Sequence, residues 1–255
     1  MSVGTSLRVL FLTESFHPVL GGGETHIRDL GRRLVASGWE ATVVTRQGEA
    51  AWPREEPLDG IRVLRVAPTG PGRVGKYLMA PGALAALLRE RRRFDLLVVR
   101  GTRVLGLPGL LAGRILGKPV VLQAEVNGEM SGEIYTWGTR LDRPLSRRVV
   151  GALTRARNVM MRDADAFVAM SRRIAAELCE AGVPTEKVRW IPHGIDTRRF
   201  RPATAEAKAG WRRELGLPAA ALIATFTGRL LRGKGLGTLL QAFGALASRN
   251  TSLHL

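Results

Sequence analysis

The chain has 255 residues, of which 45% are hydrophobic and 24% charged, and its formal net charge is +17. This length and composition are ordinary for a globular protein with a sizeable buried core. There is no run of about 18 apolar residues, so we expect no membrane-spanning helix, and the first apolar segment lacks a signal-peptide pattern. Despite the charge, the low aromatic content of 5% and the absence of zinc-ligand spacing argue against a nucleic-acid partner.

The first part of the chain predicts a strand, a glycine loop, a helix and a second strand. Leu7–Thr13 is nearly continuous in apolar residues, as a buried parallel strand is, and it leads into Gly21–Gly23. Apolar residues then recur at helical spacing from Ile27 to Val35, and Ala41–Thr45 is the second strand. This order is that of a βαβ unit, whose crossover is right-handed.

Strands and helices alternate through the rest of the first 200 residues. The predicted strands are Ile61–Val66, Phe94–Val99, Val120–Gln123, Ala166–Met170 and Lys187–Ile191. The predicted helices are Tyr77–Arg93, Val104–Leu116, Val149–Ala164 and one that Ser171 caps and that ends near Gly182. We expect loops at 46–60 and 124–146, and a loop as long as the second is often functional.

This alternation predicts an α/β fold with a Rossmann-like, doubly wound parallel sheet in residues 1–200. Residues 201–218 are expected to be a linker with one short helix. A second strand, a glycine turn and a helix follow, so 219–255 is interpreted as the start of a second, incomplete Rossmann-like domain.

Two glycine turns, each between a predicted strand and a predicted helix, indicate a site for a phosphorylated ligand. They are Gly21–Gly23 and Gly228–Gly235, and the second carries Arg229 and Lys234. Helix N-termini offer free N–H groups and a positive dipole end, to which these side chains add charge. Neither turn has the GxGxxG pattern, and Gly235 stands where a P-loop has its Mg²⁺-binding Ser or Thr. A tight structural turn remains the alternative for Gly21–Gly23, and a P-loop nucleotidase for the other.

The charge and the single cysteine indicate the setting of the protein. Arginine clusters at 89–93, 140–157 and 198–201 are typical of solvated helix faces or of a surface that meets anionic lipid. Cys179 excludes an internal disulfide and fits a reducing compartment. We therefore expect a cytoplasmic protein, with peripheral contact at the inner face of an anionic membrane left open.

Taken together, these motifs resemble the family 4 glycosyltransferases of the two-Rossmann-domain (GT-B) type. The stretches that carry the resemblance are Phe11–Gly23, Val168–Gly182, Ile191–Pro202, Gly228–Leu230, Lys234–Gly235 and Leu239–Leu240. The resemblance implies a retaining enzyme with an acceptor-binding amino-terminal domain and a carboxy-terminal domain for a nucleotide diphosphate sugar. It implies no cofactor and no metal, and an acceptor that is a glycan, a lipid or a small molecule.

The resemblance also implies roles for particular residues. Arg229 and Lys234 would contact the donor diphosphate, and Gly22 and Gly23 would approach it. Fixed cations and N–H groups would then stabilise the negative charge that develops on the leaving diphosphate.

Two departures from the family pattern affect these expectations. Many members have a histidine directly after the strand that matches Val120–Gln123, whereas this chain has Ala124-Glu125-Val126-Asn127. Glu125 or Asn127 could take its place, and His17 is a further catalytic candidate that could equally be structural. In addition, the donor domain of such enzymes continues well beyond this length, so we expect this chain to be inactive or nearly so. The alternative function is a non-catalytic Rossmann-like module that docks on an anionic membrane or on a partner chain.

Overall fold

The computed structural model describes residues 6–70, 75–136, 143–228, 230, 234–247 and 252–254. The chain divides into two compact units, residues 1–194 and residues 195–255. The strands of the first unit are β1 (Arg8–Leu12), β2 (Glu40–Arg46), β3 (Glu55–Leu58), β4 (Ile61–Val66), β5 (Leu96–Arg100), β6 (Val120–Ala124), β7 (Ala166–Ala169) and β8 (Val188–Trp190). Within the described ranges they form one sheet in the order β3-β4-β2-β1-β5-β6-β7-β8.

Helices connect these strands. They are α1 (Gly22–Ala36), α2 (Gly75–Leu78), α3 (Ala80–Arg89), α4 (Thr102–Leu116), α5 (Glu133–Thr136), α6 (Pro144–Met161) and α7 (Arg172–Glu180). The predicted cap of α7 is confirmed, because the Ser171 hydroxyl accepts a hydrogen bond from the Ile174 N–H. No helix in the described part of the chain is both long and apolar enough to cross a bilayer.

All strand pairs of this sheet are parallel except β3 with β4, so the Rossmann-like doubly wound fold is confirmed. The strand order reverses at β1, which lies between β2 and β5. Its residue Phe11 is in register with Val43 of β2 on one side and with Val98 of β5 on the other. In sheets of this kind, ligands bind at the carboxyl ends of the strands beside such a reversal.

The prediction of a loop at 46–60 was wrong, because β3 forms an antiparallel hairpin with β4 there. Asp59 and Gly60 connect the two strands and both have positive φ, 51° and 80°, as a two-residue hairpin turn requires. The hairpin is further stabilised by an ion pair between Glu56 and the buried guanidinium of Arg65. β3 escaped prediction because its sequence, Glu-Glu-Pro-Leu, lacks an apolar pattern.

Two helix predictions were wrong at their boundaries. Tyr77–Arg93 is not one helix but the pair α2 and α3, with Pro81 in the first turn of α3. Proline lacks the N–H that a helix interior needs but is tolerated in a first turn, so a new helix begins there. The expected loop at 124–146 contains α5 and the start of α6, whose first residue is Pro144 for the same reason.

The core of the first unit lies in two layers, one on each face of the sheet. Against one face pack α3, α4, α6 and α7, with fully buried side chains such as Leu87, Leu105 and Met161. Against the other packs α1 through Ile27, next to Phe11 and Val43. Burial of apolar side chains on both faces explains why the central strands are nearly continuous apolar runs.

The second unit begins a separate arrangement of the same kind. Its elements are α8 (Ala205–Glu214), β9 (Leu222–Ile223), α9 (Leu236–Ala247) and β10 (Leu253–His254). β9 and β10 pair in parallel, with Leu222 in register with Leu253. Arg212 of α8 donates hydrogen bonds to the carbonyls of Pro218, Ala219 and Ala221 and so fixes the segment before β9.

The close approach of α4 to the sheet generates a stability prediction. A Cβ on Gly109 would overlap the Val99 side chain of β5, whereas a Cβ on Gly151 of α6 would meet only Arg155 Nη1, at 3.8 Å. We expect Gly109→Ala to lower the free energy of unfolding by about 1–3 kcal/mol through overpacking. Gly151→Ala, the matched control, should raise it by about 0.5–1 kcal/mol because alanine favours the helix. Urea denaturation measures both, and an unchanged midpoint for Gly109→Ala would contradict the packing.

Candidate functional site

A cleft opens at the carboxyl ends of β1, β5 and β6, at the point where the strand order reverses. Its cavity has a volume of about 200 Å³ and a strongly polar lining. The lining residues are Thr13, Glu14, Ser15, Glu24, Arg100, Gly101, Arg103, Glu125, Val126, Glu129 and Ile134. Four carboxylates and two guanidinium groups thus converge where this fold class binds ligands.

Arg100, the last residue of β5, is the centre of this cleft, and its side chain is only 11% exposed. Its guanidinium donates a short hydrogen bond to Glu125 Oε1 and another, of 3.2 Å, to Thr13 Oγ1. It also lies 3.7 Å from Glu24 Oε1, which accepts a hydrogen bond from the Ser15 hydroxyl. One cation therefore links the loops after β1 and β6 to the first turn of α1.

Two carboxyl groups of the cleft have altered acidity. Burial raises the pKa of Glu125, although the neighbouring Arg100 opposes the shift. Burial also raises the pKa of Glu129, whose Oε2 accepts a hydrogen bond of 2.5 Å from the Thr102 hydroxyl. Carboxyl groups with raised pKa values in a cleft are common features of sites that bind or activate hydroxyl groups.

Glu177 of α7 holds the loop that carries Glu129. Its buried carboxylate accepts hydrogen bonds from the N–H groups of Gly128 (2.8 Å), Met130 (2.9 Å) and Ser131 (2.9 Å). Asn158 of α6 adds a 2.7 Å hydrogen bond to the Met130 carbonyl. The backbone on both sides of Glu129 is therefore fixed by side chains from two helices.

The first glycine turn meets the cleft at the N-terminus of α1. Gly21 has an extended conformation and no side chain to cap the helix. A Cβ on Gly23 would overlap the Arg100 guanidinium, so this position must be glycine for Arg100 to occupy its place. A Cβ on Gly22 would meet nothing within 4 Å. Gly22 thus borders open space, whereas Gly23 makes room for the central arginine.

The structure brings only Glu125 of the three catalytic candidates into the cavity lining. Asn127 is exposed and lies outside that lining. His17 is also outside it, and its carbonyl accepts a 2.8 Å hydrogen bond from Arg65. Of the predicted diphosphate contacts, Arg229 lies outside the described residues, and Lys234 is exposed in the second unit.

Sequence reasoning missed several cleft residues, among them Arg100, Glu24 and Glu129. Arg100 carried a usable signal, because it is a charged residue at the end of an apolar strand. Glu24 and Glu129 carried none, since only the folded sheet brings their segments together. In the described ranges, no cluster of three or more His, Cys, Asp or Glu side chains could ligate a metal ion.

A pair of imidazoles lies beside this cleft. The rings of His26, on α1, and His193, after β8, are 4.2 Å apart and nearly perpendicular. Burial lowers the pKa of His26 to about 4, and the positive fields of His193 and Arg100 act in the same direction. His26 is therefore neutral near pH 7.

The fold matches that of known glycosyltransferases. Sucrose-phosphate synthase from Thermosynechococcus elongatus aligns with a TM-score of 0.67 and 22% identity, over 92% of this chain and 59% of that one. The Anabaena HepE protein in complex with UDP-glucose aligns with a TM-score of 0.64 and 19% identity, over 97% and 59%. These likenesses place the sheet in the GT-B class of folds.

Sequence comparison identifies the family. The family model described as Glycosyltransferase Family 4 matches residues 20–199, and the chain belongs to that family. It is 29% identical to a D-inositol 3-phosphate glycosyltransferase of Salinispora arenicola, over 91% of this chain and 53% of the relative. With one from Nocardiopsis dassonvillei the identity is 30%, over 92% and 54%. The chain thus spans about half the length of these curated relatives.

The hydrogen bonds of Glu177 generate a prediction about the loop. We expect Glu177→Gln to lower the free energy of unfolding by about 2 kcal/mol, because an amide gives weaker and fewer acceptors to the three N–H groups. Amide hydrogen exchange at Gly128, Met130 and Ser131 should accelerate. The exposed neighbour Glu180 provides the control, and Glu180→Gln should leave both measurements unchanged. Equal effects of the two substitutions would contradict this role.

The acidity of His26 generates a pH prediction. A pKa lowered from 6.5 to about 4 means that the unfolded chain binds a proton more readily than the folded one. This residue's contribution to stability is therefore complete above pH 6.5 and is lost as the pH falls towards 4. His26→Gln should make the melting temperature less dependent on pH in that interval. An NMR titration that places the His26 imidazole near 6.5 would contradict the prediction.

Proposed function

We propose that this protein takes part in the transfer of a sugar from a nucleotide diphosphate sugar to an acceptor hydroxyl, and that the cleft centred on Arg100 binds the acceptor. The observation that supports this most directly is the position of the cleft. A member of glycosyltransferase family 4 has converging carboxylates and guanidinium groups at the reversal of its strand order. Carboxylates accept hydrogen bonds from sugar or polyol hydroxyls, and guanidinium groups bind anions.

Glu125 is our proposed contact for the reacting hydroxyl. It occupies the segment directly after β6, where many members of the family have a histidine, and it lines the cavity. Its raised pKa and its partnership with Arg100 suit a group that orients a hydroxyl and accepts its hydrogen bond. Glu129 is our proposed second contact for acceptor hydroxyls.

The proposed acceptor is a small phosphorylated polyol. The relatives named above are D-inositol 3-phosphate glycosyltransferases, which is the first reason for this choice. The second is Arg103, which lines the cavity and lies over the Tyr135 ring, but whose side chain has neither an ion pair nor a hydrogen bond among the described residues. A guanidinium without a carboxylate partner is suited to a phosphate group.

The proposed donor is a nucleotide diphosphate sugar, without a metal ion or a cofactor. Support comes from the family and from HepE, whose structure was determined with UDP-glucose. In this proposal the open N-terminus of α1 at Gly22 and Gly23 contacts the diphosphate and stabilises the negative charge of the departing nucleotide. The diphosphate contacts of Arg229 and Lys234 remain predictions that rest on the family resemblance. The retaining outcome and the cytoplasmic location remain predictions.

Acceptor binding provides the test. We expect the chain to bind D-inositol 3-phosphate more tightly than myo-inositol in calorimetric titrations. Arg103→Gln should weaken binding of the phosphate ester about tenfold or more, because one charge-assisted contact is lost, and should leave myo-inositol unaffected. Glu125→Gln should weaken the binding of both ligands.

The control for these titrations is the substitution Arg33→Gln, at an exposed position of α1. This variant should bind both ligands as the unaltered chain does. A failure of both polyols to bind at millimolar concentration would refute the acceptor assignment. Sugar transfer is measured separately, by the mass of the acceptor after incubation with UDP-, GDP- and ADP-sugars. An acceptor whose mass has increased by one sugar residue would support the proposed transfer.

A further inference from the structure

The outward face of α6 is apolar, although nothing in the described chain covers it. Leu145, Val149 and Leu153 follow one another at four-residue spacing and are 74%, 51% and 67% exposed. Val159 and Met160 continue the same face and are also about half exposed. The opposite face packs on the core through Thr154, Asn158 and Met161. A helix with apolar side chains on both faces generally has an apolar environment on both.

This apolar surface continues over the neighbouring helices. Leu111 and Ile115 of α4 are exposed beside it. A groove of about 520 Å³ runs between α3, α4 and α6, and its lining is mainly apolar. The lining residues are Ala80, Pro81, Leu84, Leu107, Pro108, Leu110, Leu111, Arg114 and Met160. We call the exposed apolar residues of α3, α4 and α6 together the three-helix surface. Surfaces of this extent mark sites of interaction.

The three helices of this surface carry only positive charges. The helices α3, α4 and α6 contain no aspartate and no glutamate, whereas they contain seven arginines. Arg148 and Arg155 flank the apolar face of α6 and are exposed, with no ion pair to any residue in the described ranges. By contrast, α1 on the other face of the sheet carries Glu24 and Asp29 as well as its arginines. Carboxylates lie only at the border of the three-helix surface in the described ranges, where Asp163 pairs with Arg114 and Glu180 of α7 lies near Val159.

We propose that the three-helix surface docks on an anionic lipid membrane. Leucine and valine side chains enter the interfacial region, and Arg148 and Arg155 contact lipid phosphates. A second copy of the chain suits this surface less well, because the three helices of each copy carry arginines and no carboxylates, so pairing two such faces brings like charges together. An anionic lipid surface complements both the apolar stripe and the positive rim.

The position of α4 connects this surface to the cleft. α4 begins at Thr102, immediately after Gly101, and its second residue Arg103 lines the cavity. The cleft therefore opens at one end of the same helix that contributes Leu111 and Ile115 to the three-helix surface. Docking in this way would bring the cleft close to the membrane plane.

Vesicle co-sedimentation tests this proposal independently of any enzymatic activity. We expect the chain to sediment with vesicles that are one-third phosphatidylglycerol, but not with pure phosphatidylcholine. Arg148→Gln combined with Arg155→Gln should lower the partition coefficient about tenfold or more. Val149→Ser combined with Leu153→Ser should lower it to a similar degree without a loss of charge, because apolar side chains no longer enter the interface.

The matched control removes the same charge elsewhere. Arg32→Gln combined with Arg33→Gln, on α1, should bind vesicles as the unaltered chain does, and circular dichroism verifies that all variants are folded. An equal loss in this control would show that net charge alone attracts the chain, which overturns the proposal. Two further results would also overturn it. One is the absence of vesicle binding, and the other is a dimer in sedimentation velocity that Val149→Ser and Leu153→Ser convert to a monomer.

Discussion

The cleft depends on one guanidinium group, that of Arg100. It donates hydrogen bonds to Glu125 after β6 and to Thr13 after β1, and it lies next to Glu24 on α1. It therefore joins three segments that are distant in the sequence. A nearly buried arginine is costly unless its charge is paired and its N–H groups have acceptors. The two carboxylates and the hydroxyl supply these, and the missing side chain at Gly23 supplies the space. The arrangement explains why a strand can end in a charged residue inside the protein.

Around this centre, the charges of the cleft are distributed unequally. Arg100 has close acidic partners, whereas Arg103 lies over the Tyr135 ring and forms no ion pair in the described part of the chain. Among the described residues, the Glu129 carboxyl group accepts one hydrogen bond, from the Thr102 hydroxyl, and burial raises its pKa. The backbone beside it is held by Glu177 of α7 and Asn158 of α6. The charge of Arg100 is therefore neutralised within the cleft. Arg103 and the carboxyl group of Glu129 remain for a ligand to contact.

The sequence was sufficient for the fold wherever the apolar pattern was strong. The buried strands β1, β2 and β5 to β7 are mainly apolar, β4 alternates apolar residues with Arg62 and Arg65, and the alternation of these strands with helices indicates a doubly wound sheet. The strand β3 was missed because its two glutamates and Pro57 have no such pattern, although Asp59-Gly60 was a readable hairpin signal. In the same way Pro81 and Pro144 indicated helix starts that apolar spacing alone concealed.

The site was less accessible to sequence reasoning. Glu125 was identified because it follows the strand after which the family resemblance implies a histidine, and the structure places it in the lining of the cleft. Arg100 and Glu24 could not be connected to it, since the sheet order that unites them depends on long-range strand pairing. Arg229 and Lys234 stay predictions, which rest on the glycine turn and the family resemblance.

The two ends of the sheet have a consequence for how the chain behaves when it is concentrated. One outermost strand, β3, contains Pro57, which has no N–H to offer, and charged side chains. The other, β8, has only three residues. Long, flat border strands recruit strands of other molecules and start aggregates, and neither border of this sheet provides such a template. The edges of this wide sheet therefore do not favour the addition of strands from other molecules, which is the step that starts fibril formation.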